Sequence, residues 1–153
     1  MAKPIRMTAA QLQRAMTKGL LEEEIQQGIV NYLRLIGWRE PADLVEVKHD
    51  PWRNCNGIYL KFGTKRKAGD HQGTMQTVGA PDLQICPKGH NVFYGVEVKR
   101  EKGKPSDEQE VLINAEVAHV VRSTTDMKIL LDRLEERRKW MDKLLKQQPP
   151  SDG

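Results

Sequence analysis

The sequence predicts an α/β domain in which a mixed β-sheet is flanked by helices. Three observations predict it. Apolar residues at helical spacing open and close the chain, and runs of strand length with alternating or apolar character lie between them. A further helical segment with its own cap interrupts those runs. A length of 153 residues suits one domain with a core of its own.

Thr8 reads as the N-cap of a short first helix, AAQLQRAMTK, stopped by Gly19. Leu21, Ile25, Ile29, Leu33 and Ile36 predict a second helix over 21–36, ended by Gly37. LVEVKHD, residues 44–50, alternates apolar and polar side chains and predicts a strand, and residues 57–62 predict another. Residues 63–79 are a long polar stretch with three consecutive basic residues, Lys65, Arg66 and Lys67. A loop of that length inside a compact domain is usually functional or mobile.

DLQIC (82–86), the turn-rich PKGHN and VFYGVEVK (92–99) together predict a β-hairpin. Pro105 and Ser106 open a helix to residue 116 with the capping-box pattern S-x-x-Q, and VAHVV (117–121) predicts a further strand. Thr124 or Thr125 is expected to cap a last helix. Its apolar positions include Met127, Leu130, Leu131, Leu134, Met141, Leu144 and Leu145, opposite Arg133, Arg137, Lys139, Lys143 and Lys146. The chain thus divides into an N-terminal helical extension (1–19), a central domain (20–126), a C-terminal amphipathic helix (127–147) and a tail (148–153) expected to be disordered.

Hydrophobic residues make up 38% and charged residues 30%, with a formal net charge of +4. That balance describes a heavily charged surface and favours an acidic partner, nucleic acid first. No apolar run approaches the roughly 18 residues of a membrane span, and the basic N-terminus has no apolar stretch after it. Cys55 and Cys86 make no disulfide framework, so a reducing, cytoplasmic setting is expected.

The chemistry concentrates in GAPDLQICPKGHNVFYGVEVKR. A hairpin turn centred between Gly89 and His90 places Asp82 opposite Glu97, so both carboxylates project from one face about 5 Å apart at Cβ. Lys99, two residues on, lies on that face again. Two like charges so placed repel and call for a cation. Hard oxygen ligands that leave room for water suit Mg²⁺ better than zinc. The bland alternative is a solvated charge cluster on a surface hairpin.

Gly79, Pro81 and Asp82, then Glu97, Val98, Lys99 and Arg100, then Gly103, Lys104, Ser106 and Gln109 resemble the motif series of the PD-(D/E)XK nuclease superfamily. Within it the pattern is similar to the virus-type replication-repair nuclease (VRR-NUC) family. EEEIQQGIVNYL (22–33), WRN (52–54), KFG (61–63) and VRSTTD (121–126) resemble that family's first helix, its next strands, and its closing strand with helix start. The resemblance implies a restriction-endonuclease-like core and Mg²⁺ or Mn²⁺ held by Asp82, Glu97 and the Val98 carbonyl.

It further implies that Lys99 is catalytic, that Glu22 on the first helix lies near the metal, and that Gln109 lies beside the site. Glu23 and Glu24 adjoin Glu22, and a one-residue slip stays open. Glu22 also reads as an acidic first helical turn, and Gln109 as the capping partner of Ser106. Arg100, Lys102 and Lys104, with Lys65, Arg66 and Lys67, are candidates to track a phosphate backbone or are ordinary solvated charge. The resemblance implies an endonuclease acting on DNA as a homodimer, on branched substrates such as four-way junctions. A restriction-like or flap-cutting repair nuclease and a non-catalytic DNA-binding factor are the alternatives.

Overall fold

A computed structural model describes residues 8–12, 21–62 and 78–151. The predicted first helix beyond residue 12, and Lys65, Arg66 and Lys67, lie outside the described residues. Residues 9–12 are helical, and Thr8 Oγ1 accepts from the Gln11 N–H at 3.2 Å, as an N-cap does.

Helix α1 (Glu22–Leu35) follows the predicted spacing, with Ile25, Ile29, Val30 and Leu33 buried. Gly37 stops it at φ +94°, a conformation that favours glycine. Five strands form one sheet in the order β1 (Trp38–Arg39), β2 (Gly57–Lys61), β3 (Leu83–Pro87), β4 (Tyr94–Val98) and β5 (Ala118–Val121). The outer pairs β1–β2 and β4–β5 are parallel, while β2–β3 and β3–β4 are antiparallel. The sheet is therefore mixed and flanked by helices.

Helices α2 (Asp107–Asn114) and α3 (Thr124–Gln147) complete the fold. Alternation along β4 sorts its side chains between two faces. Val96 and Val98 enter the core with Leu83 and Ile85 of β3, Val121 of β5, the α1 stripe, and Met127, Leu130 and Leu134 of α3. Glu97 is thereby turned to the opposite face, toward α2. Met141, Leu144 and Leu145 of α3 are exposed, as is Trp140, because the distal turns run past the core.

Several local expectations are corrected. Residues 44–50 are not a strand. Pro41–Val47 is a 3₁₀ helix, favoured by Pro41 at its first turn and by Asp43 Oδ2, which accepts from the Glu40 N–H at 3.1 Å. The same carboxylate takes Arg34 Nη1 at 2.8 Å, and that guanidinium also donates to the Tyr59 hydroxyl at 3.0 Å. Leu44 is buried while Val45 is exposed, so the alternating pattern serves a single anchor rather than a sheet face.

Trp52 to Asn54 is not a strand either, since Pro51–Arg53 is another 3₁₀ turn. The last helix is capped by Ser123, whose Oγ accepts from the Asp126 N–H at 3.1 Å. Thr124 is its first helical residue.

The two-residue strand β1 was too short to show alternation in sequence. Buried Trp38 lies directly over Gly57 of its partner strand, where a Cβ would stand 2.3 Å from ring atoms. Gly57→Ala is expected to displace the indole and destabilise the domain by about 1–3 kcal/mol. Urea unfolding followed by tryptophan fluorescence measures it, and an unchanged midpoint would remove this contact from the account of the sheet edge.

Candidate active site

The site is built on the β3–β4 hairpin. Leu83 pairs with Val96, Gln84 with Gly95 and Ile85 with Tyr94, the register that a turn centred between Gly89 and His90 requires. One step further along the same ladder, Asp82 stands opposite Glu97. The turn uses positive φ at Gly89 and Asn91. It is fastened to α3 by buried His90, whose Nδ1 lies 3.0 Å from the Tyr94 hydroxyl and whose Nε2 lies 3.0 Å from Glu135 Oε2. Arg138 pairs with Glu135 at 2.5 Å, and this bond with the one from His90 holds the Glu135 carboxyl down at about 2.

Asp82 is fixed on two sides. Its carbonyl accepts from the Phe62 N–H at 2.9 Å, and its Oδ2 accepts from the Val98 N–H at 2.9 Å. A strand residue projects its N–H and C=O toward the same neighbour, so the Val98 carbonyl also turns toward the β3 side. There the register sets Pro81, which has no N–H to give it. Pro81-Asp82 therefore ends the ladder and leaves the Val98 carbonyl facing the side on which Asp82 lies.

Two glycines make room for this segment. A Cβ on Gly95 would stand 3.0 Å from Pro81 Cγ and 3.0 Å from the Val117 carbonyl oxygen. Gly79, at φ +85°, passes so close to α2 that a Cβ would meet Glu108 Cβ at 2.7 Å.

Glu97 is 3% exposed. Its Oε1 accepts from Gln109 Nε2 at 2.5 Å and lies 3.7 Å from Lys99 Nζ. Burial pushes the Glu97 carboxyl up to about 8, and the charge and hydrogen bond of Asp82 push the same way, with Lys99 opposing them. Gln109 fills both roles read from the sequence. Its Oε1 accepts from the Ser106 N–H at 2.9 Å in the α2 capping box, and that bond fixes which end of the amide faces Glu97.

Asp82, Glu97, Lys99 and Gln109 are thus brought together. Glu22, at the start of α1, faces the loop that follows β4, its Oε1 standing 3.6 Å from where a Cβ on Gly103 would lie. Glu23 is exposed, and Glu24 reaches back to accept from the Leu21 N–H at 2.9 Å. Glu22 is therefore the one of the three that this contact places at the loop. Among the described residues no group of three or more His, Cys, Asp or Glu side chains is arranged to hold a metal ion, so Asp82 and Glu97 stand as a pair.

Arg100, half-buried, and Lys102 and Lys104, exposed, occupy that same loop. The residue that shapes it was not among those singled out from the sequence. Arg122, just after β5, donates through Nη1 to the carbonyl oxygens of Arg100, Glu101 and Gly103, the last at 2.8 Å. Its place beside the Ser123 cap was the available signal. No family model, curated protein or solved structure matches this chain. Among the described residues no helix is long and apolar enough to cross a membrane.

In metal-free protein, Glu97 keeps its proton in the folded state up to about pH 8, whereas the unfolded chain loses it near the ordinary value of 4.5. The folded state binds the extra proton between those values, so stability is expected to fall as pH rises through that window. The slope is at most about 1.4 kcal/mol per pH unit. Glu97→Gln should flatten the decline and raise the melting temperature at pH 8. Parallel pH profiles for the two proteins would refute the shifted titration.

Proposed function

We propose that this protein is a Mg²⁺- or Mn²⁺-dependent DNA endonuclease with a PD-(D/E)XK-type core of the VRR-NUC kind. The observation that carries the reading is the opposed Asp82–Glu97 pair, one member buried, with the Lys99 ammonium 3.7 Å from Glu97 Oε1. The donor set suits a hard divalent ion: two opposed carboxylates, Asp82 and the buried Glu97, and a carbonyl at Val98 without a ladder donor. Asp82, Glu97 and Val98 would hold the ion, and by the family resemblance Glu22 of α1 would lie near it. When bound, such an ion attracts a scissile phosphodiester and lowers the pKa of an attacking water.

The chain's own groups do the rest. Gln109 fixes Glu97 Oε1, and because Ser106 holds its other end, the amide cannot rotate away. Lys99, with a side chain 12% exposed, presents its ammonium at the mouth of the pair, where it orients a water or meets negative charge on the phosphoryl oxygens. Arg100, Lys102 and Lys104, on the loop clamped by Arg122, would contact flanking phosphates. A non-catalytic DNA-binding factor has no use for a carboxylate at residue 97, which burial and the neighbouring Asp82 make costly to ionise.

By the family resemblance, the substrate is branched DNA and the working unit a homodimer, since two-fold paired sites match a two-fold junction. The test is cleavage of a labelled four-way junction beside duplex, flap and single-stranded controls, in each metal. Asp82→Asn and Lys99→Ala should each lower cleavage at least about 100-fold while leaving DNA binding in place. Undiminished cutting by either variant, or no cutting of any substrate by a wild type that still binds DNA, would overturn the nuclease reading. Cutting of flaps or single strands alone would discard the junction.

A further inference from the structure

A second feature lies on the outer edge of β5, one strand beyond the carboxylates. A cavity of about 560 Å³ opens there between α2, β5 and α3. Val120, the parallel-ladder partner of Glu97, forms part of its wall, so it begins about one strand spacing, roughly 4.8 Å, from the β4 backbone that carries the proposed site. Arg133 and Arg137, one turn apart on α3, line it together with His119 of β5.

His119 Nε2 is shut off from solvent and has no hydrogen-bond partner among the described residues. Burial and the charges of Arg133 and Arg137 push its imidazole below the ordinary range, so it is neutral. The acids of the cavity leave Arg133 available and meet Arg137 only at the exposed rim. Asp126 Oδ2 accepts from the Arg122 N–H at 2.9 Å, and Glu116 stands 3.9 Å from Arg137 at a rim where both side chains are mostly exposed. Arg133 forms no ion pair with an acid among the described residues.

We infer that this cavity binds a phosphate-type oxyanion, held by the Arg133 and Arg137 guanidiniums with the neutral His119 ring in the wall beside them. Planar guanidinium forks suit phosphate oxygens, and a neutral imidazole in the wall adds no repulsion between cations. Two sources share this chemistry: free inorganic phosphate, and a phosphodiester of the strand engaged at the carboxylate pair. The second source rests on the nuclease reading, whereas the site itself does not.

The test follows the His119 ring resonances of the full chain in metal-free buffer. They are assigned by His119→Gln among the four histidines of the sequence. Inorganic phosphate and a short single-stranded oligonucleotide are added separately. A saturable shift is expected with phosphate. Arg133→Gln, on an exposed helical face, should weaken it at least about tenfold, and Glu116→Gln, which releases Arg137, should tighten it.

A response to the oligonucleotide at lower phosphate-equivalent concentration identifies a phosphodiester, and a response to phosphate alone identifies the free anion. No saturable shift with either probe, or an undiminished one in Arg133→Gln, overturns the site. Asp82→Asn should leave the phosphate response intact, so a failed nuclease reading and a failed anion site give different results.

Discussion

The pairing register of β3 with β4 is the constraint on which the rest depends. Side chains alternate with a period of two, so a slip of one residue would turn Val96 and Val98 out of the core and Glu97 into it. The apolar face alone would resist that slip, but two local fits also specify it. Gly95 gives Pro81 a place that no side chain would leave open. At the other end, the His90–Tyr94–Glu135 network fastens the turn to α3. The interactions that fold the sheet therefore also hold two carboxylates face to face.

Around that pair, the protein gives up stability for geometry. Glu97 would ionise readily on the surface. At 3% exposure, beside Asp82, it holds its proton to about pH 8, and Lys99 offsets only part of the cost. Gln109 gives Glu97 a hydrogen bond but no charge. The neighbouring loop is organised from outside, by an arginine that offers its donors to three carbonyl groups, so the loop's own basic residues are not needed to shape it. Capping, register and loop closure all converge on one end of β4.

What was legible in the sequence follows a physical line. The hairpin could be read because its information is local: a turn with two positive-φ residues sets the register, and alternation sets the face. The capping box of α2 was legible for the same reason, and it carried Gln109 to the site. The segment 44–50 misled because alternation is ambiguous when one residue, Leu44, is the anchor and when Pro41 and Asp43 favour a tight helical turn. Strand β1 was invisible because its pairing with Gly57 is non-local and its two residues show no period. Arg122 left no motif, since its partners are backbone carbonyl groups whose position exists only after folding.

The bland account of Asp82, Glu97 and Lys99, a solvated charge cluster on a hairpin, fits this geometry poorly. Solvated acids lie where water can screen them, and such pairs cost little and do little. Glu97 lies instead on a buried strand position, opposite another acid, oriented by an amide that is itself pinned by a helix cap. A purely structural role would be met more cheaply by an apolar or amide side chain at residue 97. Retaining the acid there makes sense when a cation or a proton is the intended third party, and a perturbed carboxylate of this kind is where function is first sought.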